Sequence, residues 1–377
     1  MSRFGRVSIV KISFTLLLTY SLRMTAKVGQ NAVSEECLSK PEADEYYARM
    51  DRQIRLWGYE AQNRIRASNL LIVGLSGLGA EVAKNLILAG PKAVTLMDDH
   101  EISGNDSLSQ FLLPAGVTKS NRAEASYEAC HRLNPLVKLD VDVSSLRDKS
   151  REYYAQFTLI VLIDQDFDVI DQADLICRDL GIAFIAGGVF GWAGYGFFDF
   201  TGREFLVTKP RIDEAADLDD DKDDEPGPSK KPRGIQTVTL QDDNEKIKTA
   251  FKFATFAEAF DVSTKKLPRR LRSAVPRSYF LIKTLLKFSQ EITLTDEILE
   301  QAYRNELDLN SHFSSSEETF ADYRLFTGPQ LGATCAIVGG FISQEAIKAI
   351  SQNGDPLRNV LTYTALDTAY ISTLPPQ

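Results

Sequence analysis

The residue types best suited to chemistry follow one another in a turn after an apolar run. Residues 70–73 are all apolar and precede Gly74, Gly77 and Gly79, which open a helical pattern. Glycines in such a turn let backbone N–H groups approach a phosphate, and the helix N-terminus favours negative charge. Asp98 lies nineteen residues after Gly79, where a carboxylate can hold ribose hydroxyls. The spacing predicts a nucleotide site; the alternative is that the glycines serve only tight strand–helix packing.

A cationic segment precedes this turn. Residues 51–58 read Asp-Arg-Gln-Ile-Arg-Leu-Trp-Gly and belong to a helical pattern over 44–68. Arg52 and Arg55 lie in the segment, ahead of the nucleotide pattern, where a neighbouring subunit could use Arg52. An arginine on an exposed helix ordinarily pairs with solvent or with a nearby acid, which is the alternative interpretation.

The elements that must position these residues alternate between strand and helix. Continuous apolar runs such as 159–163 are typical of buried parallel strands. Strand patterns lie at 70–73, 93–97, 137–143, 159–163, 183–186 and 359–363, and helical patterns at 80–89, 121–133, 169–180, 278–289 and 333–350. The alternation predicts an α/β fold, a doubly wound, Rossmann-like domain with a mainly parallel sheet. The pair Gly339-Gly340 predicts close packing of the last helix on the sheet or on a partner.

Composition changes mark the domain boundaries. Residues 213–225 hold nine acidic residues and one lysine, which accounts for most of the net charge of −9. A proline- and glycine-containing stretch and then the basic run 229–233 follow, so we interpret this region as a solvated linker. The predicted division is an N-terminal extension at 1–45, the Rossmann-like domain at 46–208, the linker at 209–234, an insertion region at 235–325 and the C-terminal part of the Rossmann-like domain at 326–372.

The same composition excludes several classes of function. Outside the linker the chain is close to neutral and has no clustered basic surface, so we expect no nucleic-acid partner. The four cysteines, Cys37, Cys130, Cys177 and Cys335, form no Cys-x-x-Cys pair, which argues against a structural zinc site and a disulfide scaffold. Three of them lie in apolar helical patterns, so we predict core positions and no nucleophilic cysteine.

The N-terminal segment has the character of a weak signal peptide. Arg3 and Arg6 precede an apolar stretch at 7–22, but Lys11 interrupts it and the stretch is short for a bilayer. We interpret residues 1–23 as a gene-model artefact, with translation beginning at Met24, and we expect no membrane partner.

Six motifs follow one another along the chain: residues 51–58, Gly-Leu-x-Gly-Leu-Gly-Ala-Glu at 74–81, Lys-Asn-Leu-Ile-Leu-Ala-Gly at 84–90, Asn-Arg-Ala-Glu-Ala-Ser at 121–126, Leu-Asn-Pro at 133–135 and Val-Gly-Gly at 338–340. Taken together, they resemble the smaller-subunit family of SUMO-activating enzymes, within the ubiquitin-activating superfamily. The resemblance runs from about residue 46 to 370. It implies a heterodimer that uses ATP and Mg²⁺, bound mainly by the partner subunit, to adenylate the C-terminal glycine of SUMO.

The resemblance also implies where this chain departs from catalytic members. Those members carry an asparagine and an arginine after the ribose aspartate, and a lysine further along. Aligned on Gln110, this chain has Asp106 and Ser109 at the first two positions and Arg122 at the third. A magnesium-binding aspartate is also expected, but the residues at 162–166 leave open whether Asp164 or Asp166 corresponds to it. We therefore predict that Gly74, Gly77, Gly79 and Asp98 are vestigial.

Arg52 has a different expected role. In the superfamily, adenylation domains pair pseudosymmetrically, and the matching arginine reaches the ATP of the other subunit. The resemblance thus implies that Arg52 acts in trans, with Arg55 assisting, and that the modifier moves to a cysteine of the larger subunit. The implied partners are the larger catalytic subunit, SUMO and, indirectly, the SUMO-conjugating enzyme. The implied location is the nucleus and also the cytoplasm, to which a short basic signal at 229–233 would add.

Other functions stay open from the residues alone. One is a homodimeric adenylyltransferase of a ubiquitin-like or sulfur-carrier protein, and another is the regulatory half of a different modifier's activating enzyme. A nicotinamide-dependent dehydrogenase is a third, although the glycine spacing differs from Gly-x-Gly-x-x-Gly. The last is a nucleotide-free scaffold.

Overall fold

An eight-stranded sheet forms the frame of the molecule in the computed structural model, which describes residues 40–117, 120–208, 246–261, 275–288, 300–306, 328–365 and 370–372. The strands are β1 (Asn69–Val73), β2 (Ala93–Met97), β3 (Lys138–Asp142), β4 (Leu159–Ile163), β5 (Ala183–Phe190), β6 (Ala193–Asp199), β7 (Glu204–Thr208), β8 (Lys246–Ala250), β9 (Asn359–Thr364) and β10 (Tyr370–Ser372). The helices are α1 (Lys40–Trp57), α2 (Tyr59–Arg66), α3 (Gly77–Ala89), α4 (Arg122–Leu133), α5 (Arg151–Tyr154), α6 (Phe167–Leu180), α7 (Phe256–Phe260), α8 (Arg277–Phe288), α9 (300–306) and α10 (Gly332–Ser351).

The strand order of the sheet is β10-β9-β6-β5-β4-β1-β2-β3, and β7 pairs with β8 in a separate two-stranded sheet. β3, β2, β1, β4 and β5 run parallel, whereas β6, β9 and β10 add antiparallel pairs. The parallel part has the 3-2-1-4-5 order of a doubly wound fold, which confirms the predicted class. In such folds ligands bind where the strand order reverses, at the carboxyl ends of the strands. Here that point lies between β1 and β4.

The central strands are buried on both faces because each face carries its own hydrophobic core. Leu71 and Val73 of β1 belong to the core under α6, α7 and α8, whereas Leu70 and Ile72 belong to the core under α3 and α10. This explains why the strands read as continuous apolar runs instead of alternating ones.

The long helical pattern predicted at 44–68 proves to be two helices. Gly58 breaks it with φ 93° and caps α2. This backbone conformation is one that side-chain-bearing residues rarely adopt. The break lets α1 turn away from α2 and lie against the end of α3, where the Gln53 amide donates to the Leu88 carbonyl at 3.2 Å.

Two further differences from the sequence expectations concern helices. α3 begins at Gly77 and not at residue 80, because Ser76 is its N-cap. Gly339 packs α10 against α3 and not against the sheet, since an added Cβ would lie 2.8 Å from the Glu81 Cβ, while Gly340 is open.

The chain after β7 returns to the sheet. The acidic linker lies outside the described residues. The described parts of the predicted insertion contribute Phe256, Phe260, Tyr279 and Phe280 to the core on one face of the main sheet. The predicted helix at 278–289 is confirmed as α8. The predicted domain boundaries stay predictions.

No helix among the described residues combines the length and apolar character needed to cross a bilayer.

A buried acidic pair joins α6 to this second part of the chain. Asp174 accepts a hydrogen bond from the Phe256 amide at 2.8 Å, and Arg178 pairs with Asp199 at 2.5 Å. The Phe253 carbonyl accepts from Arg178 at 3.2 Å. Burial and then the charge of Asp199 raise the pKa of Asp174 from 3.8 to about 8. The folded protein therefore favours the protonated form of Asp174 more than the unfolded chain does.

Replacing Asp174 by Asn should change how stability depends on pH. A carboxyl group with a higher pKa in the folded state favours folding most below about pH 4, and this contribution is lost as pH rises towards 8. Asparagine keeps a similar shape without titrating. The melting temperature of Asp174→Asn relative to the unchanged chain is expected to increase steadily between about pH 5 and pH 8. A difference that is constant across this range would contradict the assignment.

Candidate functional site

The glycine turn lies at the point where the strand order reverses, and its glycines are required by packing. An added Cβ on Gly74 would lie 2.2 Å from the Ile163 carbonyl oxygen of β4, and one on Gly79 would lie 2.0 Å from the Gly74 carbonyl oxygen. Gly74 also has φ 90°. These contacts hold the start of α3 against β1 and β4, so the packing role considered for the glycines is sufficient to explain two of the three.

Gly77, the third glycine, faces the side chain of Ser109, whereas a phosphate-binding turn would face open space. An added Cβ on Gly77 would lie 2.3 Å from the Ser109 hydroxyl and 3.2 Å from the Cys335 sulfur. Ser109 therefore fills the space in front of the turn. It is the position at which the family resemblance implies an arginine in catalytic members.

Two N–H groups of the first turn of α3 have side-chain partners within the chain. The Leu78 amide donates to Gln330 Oε1 at 3.4 Å, and the Gly79 amide donates to the Ser76 hydroxyl at 3.5 Å. Both distances are long, so these bonds are weak. Even so, two of the donors that would bind an anion at a helix N-terminus point at neutral side-chain oxygens.

Asp164 joins the same group of residues from the end of β4. Its Oδ2 accepts from the Ser76 hydroxyl at 2.5 Å and from Gln330 Nε2 at 2.7 Å, and its Oδ1 accepts from the Val189 amide at 3.1 Å. The residue has a left-handed backbone with φ 52°, which aspartate tolerates better than most residues.

Asp166, by contrast, pairs with Arg147 at 3.0 Å. Asp164 is thus the aspartate beside the glycine turn, whereas its correspondence to the family's magnesium-binding aspartate stays a prediction.

Asp98 lies at the end of β2, and its carboxylate is engaged. It accepts from the Leu75 amide at 2.6 Å and from the His100 amide at 2.9 Å. Burial alone would raise the pKa of Asp98, but the hydrogen bonds from His100 and Leu75, with the nearby Arg122, hold it below its ordinary value. The side chain of Asp98 thus stabilises the turn and the residues after β2.

Arg122 lies at this end of the sheet and forms ion pairs with two aspartates of the same chain. Its guanidinium donates to the Asp106 carboxylate from Nε at 3.1 Å, and its Nη2 lies 3.1 Å from the same carboxylate. Its Nη1 lies 3.8 Å from Asp98. Asp106 also accepts from the Ser103 amide at 2.6 Å. The aspartate that replaces the family's asparagine therefore neutralises the arginine that replaces its lysine.

The surroundings of the turn are crowded and acidic, with Ser109 against Gly77 and with Asp98, Asp106 and Asp164 close by. Asp98 and Asp164 are residue types that catalytic members are expected to keep for ribose and magnesium. The departures that bear on phosphate binding are therefore Ser109, at the position of the arginine, and Asp106, which neutralises Arg122.

Comparison with known proteins agrees with this architecture. The model of the ThiF family matches residues 50–376. The chain is 38% identical over 342 residues to the SUMO-activating enzyme subunit aos-1 of Caenorhabditis elegans, covering 86% of this chain and 96% of the relative. It is 35% identical over 334 residues to the Homo sapiens SUMO-activating enzyme subunit 1, covering 86% and 93%. The chain belongs to the ThiF family, with the SUMO-activating enzyme subunit 1 proteins.

A solved structure shares the fold of this ThiF family member. The crystal structure of E. coli MccB with succinimide superimposes with a TM-score of 0.50 at 11% identity, covering 86% of this chain and 70% of that chain. At this identity the likeness supports the α/β fold alone.

The two arginines singled out in α1 have different surroundings. Arg55 forms an ion pair with Asp51 at 2.9 Å. Arg52 is exposed, and no residue within the described ranges forms a hydrogen bond or ion pair with it. A free guanidinium on a helix is available to an anion outside the chain, whereas Arg55 would first have to leave Asp51.

The cysteines of this ThiF family member that the structure describes are unsuited to nucleophilic chemistry. Cys130, Cys177 and Cys335 are buried and free. Burial raises the pKa of Cys130 and of Cys335 to about 12 and raises that of Cys177 as well. These thiols stay protonated at neutral pH and belong to the core, as their helical patterns predicted. Cys37 lies outside the described residues.

Asp98, Asp99 and His100 bring three ligand-type atoms within 4.8 Å of one another. The His100 ring nitrogen lies 3.1 Å from Asp98 and 2.8 Å from Asp99. The hydrogen bond to Asp98 is the main cause of a raised pKa at His100. Pairing of the imidazole with the two carboxylates accounts for the cluster without an ion.

Gln330 belongs to the site but carries no sequence signal of its place there. It approaches the glycine turn from 252 residues further along the chain, through its bond to Leu78. Its position just before α10 offers no motif, so only the tertiary fold reveals it. Ser76 was passed over for another reason, since an N-cap serine resembles any helix start.

Arg122→Ala should destabilise the fold far more than Arg147→Ala. Removing Arg122 leaves Asp98 and Asp106 buried without their cation, at a cost of about 3 kcal/mol in the free energy of unfolding. The matched control removes an arginine whose side chain is 48% exposed and pairs with Asp166 and Asp168, at a cost of about 0–1 kcal/mol. Urea unfolding of both variants measures the difference, and equal costs would show that Arg122 is not an internal counter-ion.

Proposed function

We propose that the chain is the non-catalytic subunit of a heterodimeric SUMO-activating enzyme. In this role it supports the ATP- and Mg²⁺-dependent adenylation of the C-terminal glycine of SUMO, which then passes as a thioester to a cysteine of the larger subunit. The observation that carries the proposal is a contrast within one chain: Ser109 and Gln330 crowd the glycine turn, while Arg52 is exposed and has no partner among the described residues.

The family membership supports the coarser part of this proposal. The relatives at 35–38% identity are named as subunits of SUMO-activating enzymes, and the match covers nearly their whole length. A chain with their fold and a closed nucleotide turn needs another polypeptide to bind ATP. We therefore infer that ATP and Mg²⁺ are held mainly by the larger subunit.

The proposed task of Arg52 is electrostatic. Its guanidinium carries a fixed charge at all physiological pH values and can bond two phosphate oxygens at once. Placed at the phosphates in the partner's site, it would neutralise charge that builds up during transfer of the adenylyl group. No proton transfer by this chain is required.

Exposed apolar side chains on this chain could contribute to contact with the larger subunit. Leu88 of α3, Leu108 and Phe111 are 38%, 62% and 49% exposed, and the Lys84 ammonium lies 5.2 Å from the centre of the Phe111 ring. Trp57 and residues of α10 line a groove of about 360 Å³. Exposed apolar patches commonly mark protein–protein contacts. SUMO and, indirectly, the SUMO-conjugating enzyme would meet the assembled enzyme and not this chain alone.

We also propose that the protein resides in the nucleus and, in part, in the cytoplasm, as the resemblance implies. The basic run at 229–233 lies outside the described residues.

The isolated chain should neither bind nor use ATP. Because its turn is closed, millimolar ATP with Mg²⁺ is expected to leave the melting temperature unchanged, since only a ligand that binds the folded state stabilises it. Modifier-dependent ATP–pyrophosphate exchange is expected only after the larger subunit is added. Exchange by the isolated chain would contradict the proposal and favour a self-sufficient adenylyltransferase. NAD, tested in the same thermal assay, addresses the dehydrogenase alternative.

Arg52→Ala should slow exchange by the assembled enzyme while leaving assembly intact. Loss of one charged contact to the reacting phosphates is expected to lower the rate about a hundredfold. Arg55→Ala is the matched control from the same helix, and its effect should be under about threefold because Arg55 is already paired with Asp51. Gel filtration checks the heterodimer. An unchanged rate with Arg52→Ala would refute the role in trans.

A further inference from the structure

The helix that carries Arg52 has few apolar contacts to hold it in place. Among the residues of α1 whose side chains the structure describes, only Tyr46 and Met50 are buried. Both lie against Gly90, where an added Cβ would come within 2.9 Å of Met50 Cε and 3.2 Å of the Tyr46 ring. Ile54, Leu56 and Trp57 are half-buried, and Trp57 packs against the core. With only two fully buried side chains, the placement of α1 also depends on specific polar contacts.

Gln62 of α2 provides two of these contacts, and a third bond to α3, from a fully buried position. Its Oε1 accepts from the Trp57 indole N–H at 2.9 Å, and its Nε2 donates to the Tyr46 hydroxyl at 2.8 Å and to the Ala89 carbonyl at 3.0 Å. The Tyr46 hydroxyl donates in turn to the Gly90 carbonyl at 2.9 Å. One amide thereby joins two points of α1 to α2 and to the end of α3.

The chemistry of this position requires an amide. One partner of Gln62 is a donor that needs an acceptor, and the other two are oxygens that need a donor. A carboxylate would face the Ala89 carbonyl without a proton to share, and an apolar side chain would leave the Trp57 and Ala89 groups buried without partners. Buried polar groups of this kind are costly when unpaired.

Arg52 lies between the two points that Gln62 holds. Tyr46 is six residues before it and Trp57 is five residues after it, which is about 9 Å and about 7.5 Å along a helix that rises 1.5 Å per residue. If α1 rotates or slides on the domain, the Arg52 guanidinium moves with it. A displacement of about 1 Å can cost about a hundredfold in rate when a group must meet a reacting centre.

We propose that Gln62 is a positioning residue for Arg52. It fixes the rotation and height of α1 on the domain, so that the exposed guanidinium projects from a rigid helix. The inference rests on the proposed role of Arg52 in trans, and it assigns to Gln62 no contact with the phosphate itself.

The first test measures the mobility of α1 in the assembled enzyme without nucleotide. Gln62→Met keeps the side-chain length and removes the three hydrogen bonds. Hydrogen–deuterium exchange of the amides in residues 44–57 is expected to accelerate about tenfold or more, while α4 and α6 are unchanged. Tyr46→Phe, a milder change that removes one link of the network, should accelerate the same segment to a smaller extent and serves if Gln62→Met fails to fold. Unchanged exchange in α1 with either variant would overturn the proposal.

The second test is a double-mutant cycle on ATP–pyrophosphate exchange. Gln62→Met is expected to lower kcat about tenfold in the presence of Arg52, but less than about twofold when Arg52→Ala is already present, because groups that act through one another are not additive. Tyr46→Phe is carried through the same cycle. An undiminished effect in the Arg52→Ala background would show that Gln62 acts only on stability.

The control is Thr362→Val, which removes a buried hydrogen bond at 3.1 Å between β9 and Ser278 of α8 and touches neither α1 nor Gln62. It should lower the melting temperature and leave both α1 exchange and kcat unchanged. The cycle separates the two proposals. If Arg52→Ala alone has no effect, the role in trans fails; if Arg52→Ala slows exchange but α1 mobility is insensitive to Gln62, only the positioning role fails.

Discussion

The close approach of the β1–α3 turn to β4 is the constraint on which the rest of the structure depends. Gly74 leaves no room for a side chain against the Ile163 carbonyl, and Gly79 leaves none against Gly74 itself. This contact brings the start of α3 to the point where the strand order reverses. It therefore fixes α3 and, through Gly339, also α10. This packing needs the glycines whether or not a phosphate binds. A glycine-rich turn is therefore by itself a poor indicator of catalysis.

Charge balance explains why the turn can remain without its ligand. Phosphate groups would ordinarily neutralise cations at this end of the sheet. Here Asp106 neutralises Arg122, and the side chains of Ser109 and Gln330 occupy the space and the donors. Side chains of the same protein thereby provide the counter-charge and the hydrogen-bond acceptors at the turn. In α1, by contrast, the charge of Arg52 faces solvent, on a helix that the amide of Gln62 contacts.

Much of the fold could be predicted from the sequence, because the buried parallel strands leave continuous apolar runs and α3, α4 and α10 have periodic apolar faces. The antiparallel strands β6, β7, β8 and β10 were missed, since β6 mixes glycine with aromatic residues and none of the four is a continuous apolar run. The break at Gly58 was missed because the helical pattern continues on both sides of it. Arg52, Asp106, Ser109 and Arg122 were found through motifs. Gln330 and Gln62 were not, because their roles depend on contacts between distant segments or on burial that no local pattern reveals.

The central claim is that this chain reaches ATP through α1 and not through its own glycine turn. Photo-crosslinking the assembled enzyme with an ATP analogue whose azido group is tethered to the γ-phosphate tests this directly, with the labelled peptides located by mass spectrometry. The account predicts labelling of the larger subunit and, in this chain, of α1 around Arg52, with none at residues 70–80. Labelling of the glycine turn at 74–79, competed by free ATP, would contradict it.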